Sequence, residues 1–275
     1  MTSMKILLAG EGGQGIQTIA KVISDSAAKA GYNVSYIPSF GVEQRGTPSV
    51  GFIILSREPI FYPRFDLTDY AVILSQRSAE AISIYVSPRT KVIFDSSTVD
   101  PKSFPRTFTH LFGTPATKYA IEKFHPRSFN VIITGKLSQI LGLAEKDVWA
   151  MIEKTLGAKF KDEKVRKANE DAFIFGRNLV FETGKFSDAS FVPSTEKIVV
   201  KGYNKKGEIL PSRCKGCGIC IEKCPVKALK YGDILGVFAT PVPDVDLEKC
   251  IACGNCRRFC PDSAINIEKD IKQEG

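Results

Sequence analysis

Cys214-Lys-Gly-Cys217-Gly-Ile-Cys220-Ile-Glu-Lys-Cys224-Pro225 is followed by a second copy of the same pattern, Cys250-Ile-Ala-Cys253-Gly-Asn-Cys256-Arg-Arg-Phe-Cys260-Pro261. Both read C-x2-C-x2-C-x3-C-P, and together they hold all eight cysteines of the chain. With no cysteine elsewhere, a disulfide framework has nothing to build on, and the placement is that of a metal site in a reducing compartment.

Three thiolates so closely spaced curl around one corner of a cubane, while the fourth, carried off by the turn before proline, faces the other cluster. On that rule Cys214, Cys217, Cys220 and Cys260 hold one [4Fe-4S] cluster, and Cys250, Cys253, Cys256 and Cys224 hold a second. Gly216, Gly218 and Gly254 let the backbone approach sulfide and turn N–H groups toward it. C-x2-C pairs also bind zinc, but zinc sites rarely use three close cysteines followed by Cys-Pro twice over. The stretch from about Arg213 to Ile267 resembles the bacterial two-cluster ferredoxins at every ligand position, which implies a small α+β domain over 213–275 and one-electron transfer.

Upstream, 184–212 fades into Gly, Ser, Pro and Lys with a short strand at Lys197 to Val200, and reads as a connecting arm. Before it, 1–183 alternates strands and helices: strands at Lys5 to Ala9, Asn33 to Ile37, Val50 to Leu55, Ala71 to Leu74 and Val92 to Phe94, and helices at Ile16 to Ala30, Glu145 to Leu156 and Glu163 to Glu182. The last helix carries Val165, Ala168, Ala172, Phe175 and Leu179 on one side. The expected outcome is an α/β domain, an open Rossmann-like sheet with a βαβ start.

The first strand runs into Gly10-Glu-Gly12-Gly13-Gln14-Gly15 and then a helix, a G-x-G-x-x-G in strand-turn-helix context, whose helix start suits an anion. A dinucleotide site would also want an acid at the end of the second strand. Here that strand leads to Pro38 with no acid, which weighs against a flavin or nicotinamide dinucleotide site beside the readings of a tight structural turn and an anion site of another kind. The following loop, with Ser39, Gly41, Glu43, Gln44, Arg45, Gly46, Thr47 and Pro48, lies where open α/β sheets bind ligands. Glu43 and Arg45 either pair with each other or a neighbouring subunit, or reach a ligand.

An apolar content of 43% with 25% charged residues belongs to a chain with a real core. The net charge of +8 is spread among acids without a basic stripe, which argues against nucleic acid. No apolar run is long enough for a bilayer, so a cytoplasmic protein with no membrane partner is expected. His110 and His125 have no nucleophile beside them in sequence, and Trp149 reads as core or interface. Lys215, Lys223, Lys227, Arg257 and Arg258 flank the cysteines, either as solvated charges or as a landing surface for an acidic partner.

Taken together, G-E-G-G-Q-G at Gly10 to Gly15, G-V-E-Q-R-G at Gly41 to Gly46 and the downstream cysteine motifs resemble a gamma subunit of 2-oxoacid:ferredoxin oxidoreductases fused to a delta subunit. Gly46-Thr47-Pro48 departs from the family, where two glycines often follow the arginine. The resemblance implies partner alpha and beta subunits that carry thiamine diphosphate and magnesium, since this chain has no Gly-Asp-Gly run. It further implies pyruvate as substrate, with 2-oxoglutarate, branched 2-oxoacids, indolepyruvate and oxalate as alternatives, and external ferredoxin as acceptor. Coenzyme A is expected near an interface to which Gly12, Gly13, Gln14, Glu43 and Arg45 contribute. A reading of another class is a stand-alone electron carrier whose α/β domain senses a nucleotide.

Overall fold

Ile6, Leu7, Leu8 and Ala9 are apolar in succession rather than alternately, the pattern of a strand covered on both faces. In the computed structural model, which describes residues 3–39, 48–157, 162–186 and 194–270, all four are fully buried in β1 (Ser3–Glu11). The chain divides into two units, Met1–Ser190 and Phe191–Gly275.

The first unit is built on a six-stranded mixed sheet in the order β2-β3-β1-β4-β5-β6. Its further strands are β2 (Asn33–Ser39), β3 (Pro48–Ser56), β4 (Tyr70–Ile73), β5 (Lys91–Asp95) and β6 (His110–Thr114). β4, β5 and β6 run parallel to β1, whereas β3 is antiparallel to both β1 and β2 and stands between them. The βαβ start is therefore real in direction but not in adjacency, and the dinucleotide arrangement with its first two strands side by side is absent. Edge strand β2 accommodates Pro38 because one side of its ladder is free.

One face of the sheet is covered by α1 (Ile16–Lys29), α3 (Ala116–Lys123), α4 (Phe129–Ile140), α5 (Glu145–Leu156) and α6 (Glu163–Asn178), around a core that includes Ile19, Ile23, Ile132, Trp149 and Phe173. The other face packs Phe52, Phe65, Phe94 and Phe108 with the short α2 (Gln76–Ala81). The sequence reading names no element between Phe94 and Glu145. β6 is short, and the apolar run Val131-Ile-Ile133 in α4 carries β-branched residues that favour strand locally but are buried here in a helix.

Helix α6 buries Ala172 of the expected stripe together with Phe173 and Gly176, while Ala168, Phe175 and Leu179 are half-buried and Val165 is 42% exposed, so the buried line is turned toward Phe173 and Gly176. The cause is a close crossing with α4: a Cβ on Gly176 would lie 2.1 Å from the Ile132 carbonyl oxygen, and one on Gly135 would lie 2.3 Å from that of Phe173. The helix also stops at Asn178, short of Glu182. Lys136 Nζ donates to the terminal Leu179 carbonyl at 2.6 Å, and the chain leaves to exchange both backbone hydrogen bonds between Glu182 and Gly113 at the outer strand.

The second unit contains β7 (Ile198–Gly202), β8 (Lys205–Ile209), β9 (Leu229–Leu235), β10 (Pro241–Val245) and β11 (Ile265–Lys269), with single-turn helices α7 (Ile219–Glu222) and α8 (Asn255–Phe259). β8 is the middle of a sheet ordered β11-β8-β7. The second half of the segment expected as a connecting arm over 184–212 is thus a hairpin, closed at Tyr203-Asn204 with Asn204 left-handed at φ 48, and it pairs with the C-terminal strand of this unit. No helix among the described residues is long and apolar enough to cross a membrane.

Candidate cluster sites and the glycine loop

In each cysteine motif the third cysteine rides on a single helical turn, Cys220 on α7 and Cys256 on α8. Each turn starts from a left-handed glycine, Gly218 at φ 77 and Gly254 at φ 75, with no side chain capping it. The two copies repeat further left-handed positions in register: Gly216 at φ 63 and Ala252 at φ 49, then Lys227 at φ 51 and Ser263 at φ 48. These turns aim N–H groups inward. Ala228 N–H donates to Cys224 Sγ and Ala264 N–H to Cys260 Sγ, each at 3.2 Å, and Ala252 N–H donates to Cys250 Sγ at 3.4 Å.

The cysteines surround two cavities that open to solvent. Cys214, Cys217, Cys220 and Cys260 line the first, and Cys224, Cys250, Cys253 and Cys256 line the second. Each cavity therefore takes three cysteines from one motif and the fourth from the other. Four thiols set around such a space fit a four-iron cluster.

Burial foremost pushes the Cys214 thiol up to about 11, against a backbone N–H from Gly216 that lowers it, and pushes Cys220 up to about 12, where neighbouring thiols add to the effect. Cys256 is raised for the same first reason. Such thiols become thiolates readily only against bound cations.

The flanking charges divide. Lys215 is not a solvated lysine: its side chain is 9% exposed and its Nζ lies 2.9 Å from Asp262 Oδ1. Lys223 pairs with Glu222 at 3.2 Å, and Lys227, Arg257 and Arg258 are exposed. Sequence reasoning missed the Lys215–Asp262 pair. The signal was available in comparing the two copies, where Ile251 and Val226 occupy the corresponding places.

Residues 5–179 match the family described as "Pyruvate ferredoxin/flavodoxin oxidoreductase". The chain belongs to this family. Residues 213–265 match a 4Fe-4S dicluster domain, so a gamma-like oxidoreductase unit is followed by a dicluster unit in one subunit of a 2-oxoacid:ferredoxin oxidoreductase. The 2-oxoglutarate synthase subunit KorC of Archaeoglobus fulgidus is 32% identical over 66% of this chain and 88% of its own length. A gamma subunit common to the pyruvate and ketoisovalerate oxidoreductases of Pyrococcus abyssi is 26% identical over 65% of this chain and 99% of its own. Among solved structures, a 2-oxoglutarate:ferredoxin oxidoreductase from Magnetococcus marinus, with 2-oxoglutarate, coenzyme A and succinyl-CoA bound, shares the fold at a TM-score of 0.58 and 22% identity. That likeness covers 73% of this chain and 35% of the Magnetococcus chain.

In the family's gamma-like unit, the glycine loop after β1 is closed by its own residues. Gln14 is 4% exposed; its Nε2 donates to the Leu74 carbonyl at 2.7 Å and its Oε1 accepts the Glu11 N–H at 2.8 Å. Expected as a surface residue, Gln14 instead ties the loop to the end of β4. A Cβ on Gly10 would meet Ile16 Cδ1 at 2.7 Å and Gln14 Oε1 at 2.8 Å, so a side chain here would displace the Gln14 amide from its place in the loop. Gly13 is exposed at φ 108 and Gly12 is half-buried. Glu43 and Arg45, with Gly41 to Thr47, lie outside the described residues.

Neither histidine has a catalytic setting. His110 is exposed at the start of β6, and His125 Nδ1 accepts the Arg127 N–H at 3.2 Å to cap a short turn before α4; its pKa is lowered by burial and then by Arg127. Asp95, fully buried at the end of β5, accepts from the Thr117 N–H at 3.1 Å and Thr117 Oγ1 at 2.6 Å, holding the start of α3.

Proposed function

We propose that this chain is the electron-exit subunit of a thiamine diphosphate-dependent 2-oxoacid:ferredoxin oxidoreductase. Electrons released from the 2-oxoacid on alpha and beta partners pass through this chain to an external ferredoxin. The observation that supports this most is the pair of four-cysteine cavities, each completed by a cysteine of the opposite motif. On that basis Cys214, Cys217, Cys220 and Cys260 hold one [4Fe-4S] cluster and Cys224, Cys250, Cys253 and Cys256 the other. The clusters supply one-electron donors and acceptors. The protein's own part is to bury the thiolates, aim backbone N–H groups at sulfur and keep the two sites close through the shared motifs.

Carbon–carbon cleavage falls to the partners. Gly232-Asp233 continues into Ile234 within β9 and offers no thiamine-binding run. Pyruvate with coenzyme A is the first substrate reading, and 2-oxoglutarate is the second, favoured by the likeness to KorC. A gamma subunit that serves both pyruvate and ketoisovalerate enzymes in Pyrococcus abyssi supports a chain that does not itself select the oxoacid. Gly12, Gly13, Glu43 and Arg45 are proposed to face the coenzyme A side of the assembly, in a cytoplasmic, reducing setting.

Anaerobic purification of tagged chain from its host, identification of co-purifying proteins and viologen reduction across a panel of 2-oxoacids, with and without coenzyme A, tests this reading. Two thiamine-binding partners and turnover of one oxoacid are expected. A lone iron-loaded chain without oxoacid activity would overturn it in favour of a stand-alone carrier. Arg45→Ala in the assembled enzyme is expected to weaken apparent coenzyme A affinity; unchanged affinity and turnover would remove Arg45 from that side.

A further inference from the structure

The two cavities share a backbone but not a lining. Lys215 and Asp262 line the first, and Ile251 and Val226, at the corresponding places in the repeat, line the second. The same contrast recurs one element away, where Tyr231 lines the first cavity and Ile267 the second. Of the described ion pairs, Lys215–Asp262 alone has both side chains less than a quarter exposed, at 9% and 23%. It also joins the two motifs, from the residue after the first cysteine of one to the residue after Cys260-Pro261 of the other.

Adding one electron to a site puts one more negative charge into it, and nearby fixed charges weigh on that step most where water is excluded. A neighbouring cation favours the reduced form and a neighbouring anion the oxidised form. Lys215 and Asp262 both stand in the wall of the first cavity beside its cysteines, with Lys215 Nζ 2.9 Å from Asp262 Oδ1. Ile251, by contrast, is 53% exposed, and the second cavity offers no comparable charge among its lining residues.

We propose that Lys215 and Asp262 are a potential-setting pair for the cluster held by Cys214, Cys217, Cys220 and Cys260, with Lys215 neutralising an anion that would otherwise drive that potential down. Both act through the ligands and the field around them, as positioning residues. The proposal rests on the cluster assignment given above.

The test is an EPR-monitored redox titration of the full chain, loaded anaerobically, with iron and acid-labile sulfide measured on each preparation. Lys215→Met is expected to lower one midpoint, shifting electron partition between the clusters at least about tenfold, which is about 59 mV for one electron. Asp262→Asn is expected to raise the same midpoint. Lys215→Arg keeps the pair and stays at the wild-type value, and the double change Lys215→Met with Asp262→Leu returns close to it. Loaded single variants with both midpoints unmoved, or both singles moving one way, would overturn the proposal. Should Lys215→Met fail to load, Asp262→Asn carries the test, and an unmoved midpoint in that loaded variant would sink the charge argument. Zinc, or no iron, in the wild-type chain would instead overturn the cluster assignment itself.

Discussion

Three helices in this chain begin the same way and end up with different tasks. α1 starts from Gly15 at φ 79, α7 from Gly218 at φ 77 and α8 from Gly254 at φ 75, each a left-handed glycine with no side-chain cap. At α7 and α8 the neighbouring side chains are thiols that stand back around a cavity. At α1 the neighbours close in: Gln14 turns inward to Leu74 and Glu11, and Asn130 Nδ2 stands 2.7 Å from where a Gly15 Cβ would be. The same backbone turn either frames a prosthetic group or is filled by the protein. What decides between them is the side chains between the glycines, not the glycines.

The largest test of that contrast removes a frame. Cys220→Ser is expected to abolish one cluster and to cut iron and sulfide to about half, because four of eight thiol ligands serve each site; it also loosens the dicluster unit, since metal binding and folding are linked. Iron content at the wild-type level would place Cys220 outside the ligand set. Next in size is Gly216→Ala. Its Cβ would sit 2.5 Å from Thr240 Oγ1 at a φ of 63, so a loss of about 2–3 kcal/mol is expected, read by denaturant unfolding of the loaded chain.

Filling the glycine loop differently is a smaller change. Gln14→Ala leaves the Leu74 carbonyl only the longer 3.5 Å bond from Thr98 Oγ1 and takes the side-chain acceptor from the Glu11 N–H, and is expected to cost about 1–3 kcal/mol in thermal or urea unfolding while iron content stays unchanged. Unchanged stability together with weakened coenzyme A affinity would return Gln14 to the ligand-facing surface. The smallest effect is the one of opposite sign. Ala252 occupies the place of Gly216 at φ 49, and Ala252→Gly is expected to stabilise by about 1 kcal/mol, measured in the same unfolding series.

How legible each part was follows from the same contrast. Cysteine spacing specifies a site through the ligands themselves, so the motifs announce the two interlocked groups before any fold is known. G-x-G-x-x-G specifies only a backbone turn, and the sequence reading of Gln14 as a surface residue failed because its two hydrogen-bond partners, at Glu11 and Leu74, depend on how β4 docks. β1 and β3 were readable from unbroken apolar runs, but the insertion of β3 between β1 and β2 is a pairing choice that periodicity does not record. The α6 stripe holds at Ala172 but misses Phe173 and Gly176 for a related reason: the crossing with α4 is set by Gly135 and Gly176, residues that a hydrophobic pattern skips. Lys215 was misread because a lysine beside a cysteine looks solvated until Asp262, a distant residue in sequence, is seen to reach it.

The place of β3 has a further consequence for how the chain comes into being. β1 and β2 make no ladder with each other; each finds its antiparallel partner only in β3. During synthesis, everything before Pro48 can form α1 but no sheet, and two strands wait on the ribosome for a third. Domains fold as units while they emerge, and here the unit cannot close its first half until about fifty residues are out. When β3 arrives it completes three strands at once, so nascent chains cut before Pro48 are expected to be sensitive to protease, and full resistance waits for Ile132, Trp149 and Phe173 to complete the core over α1.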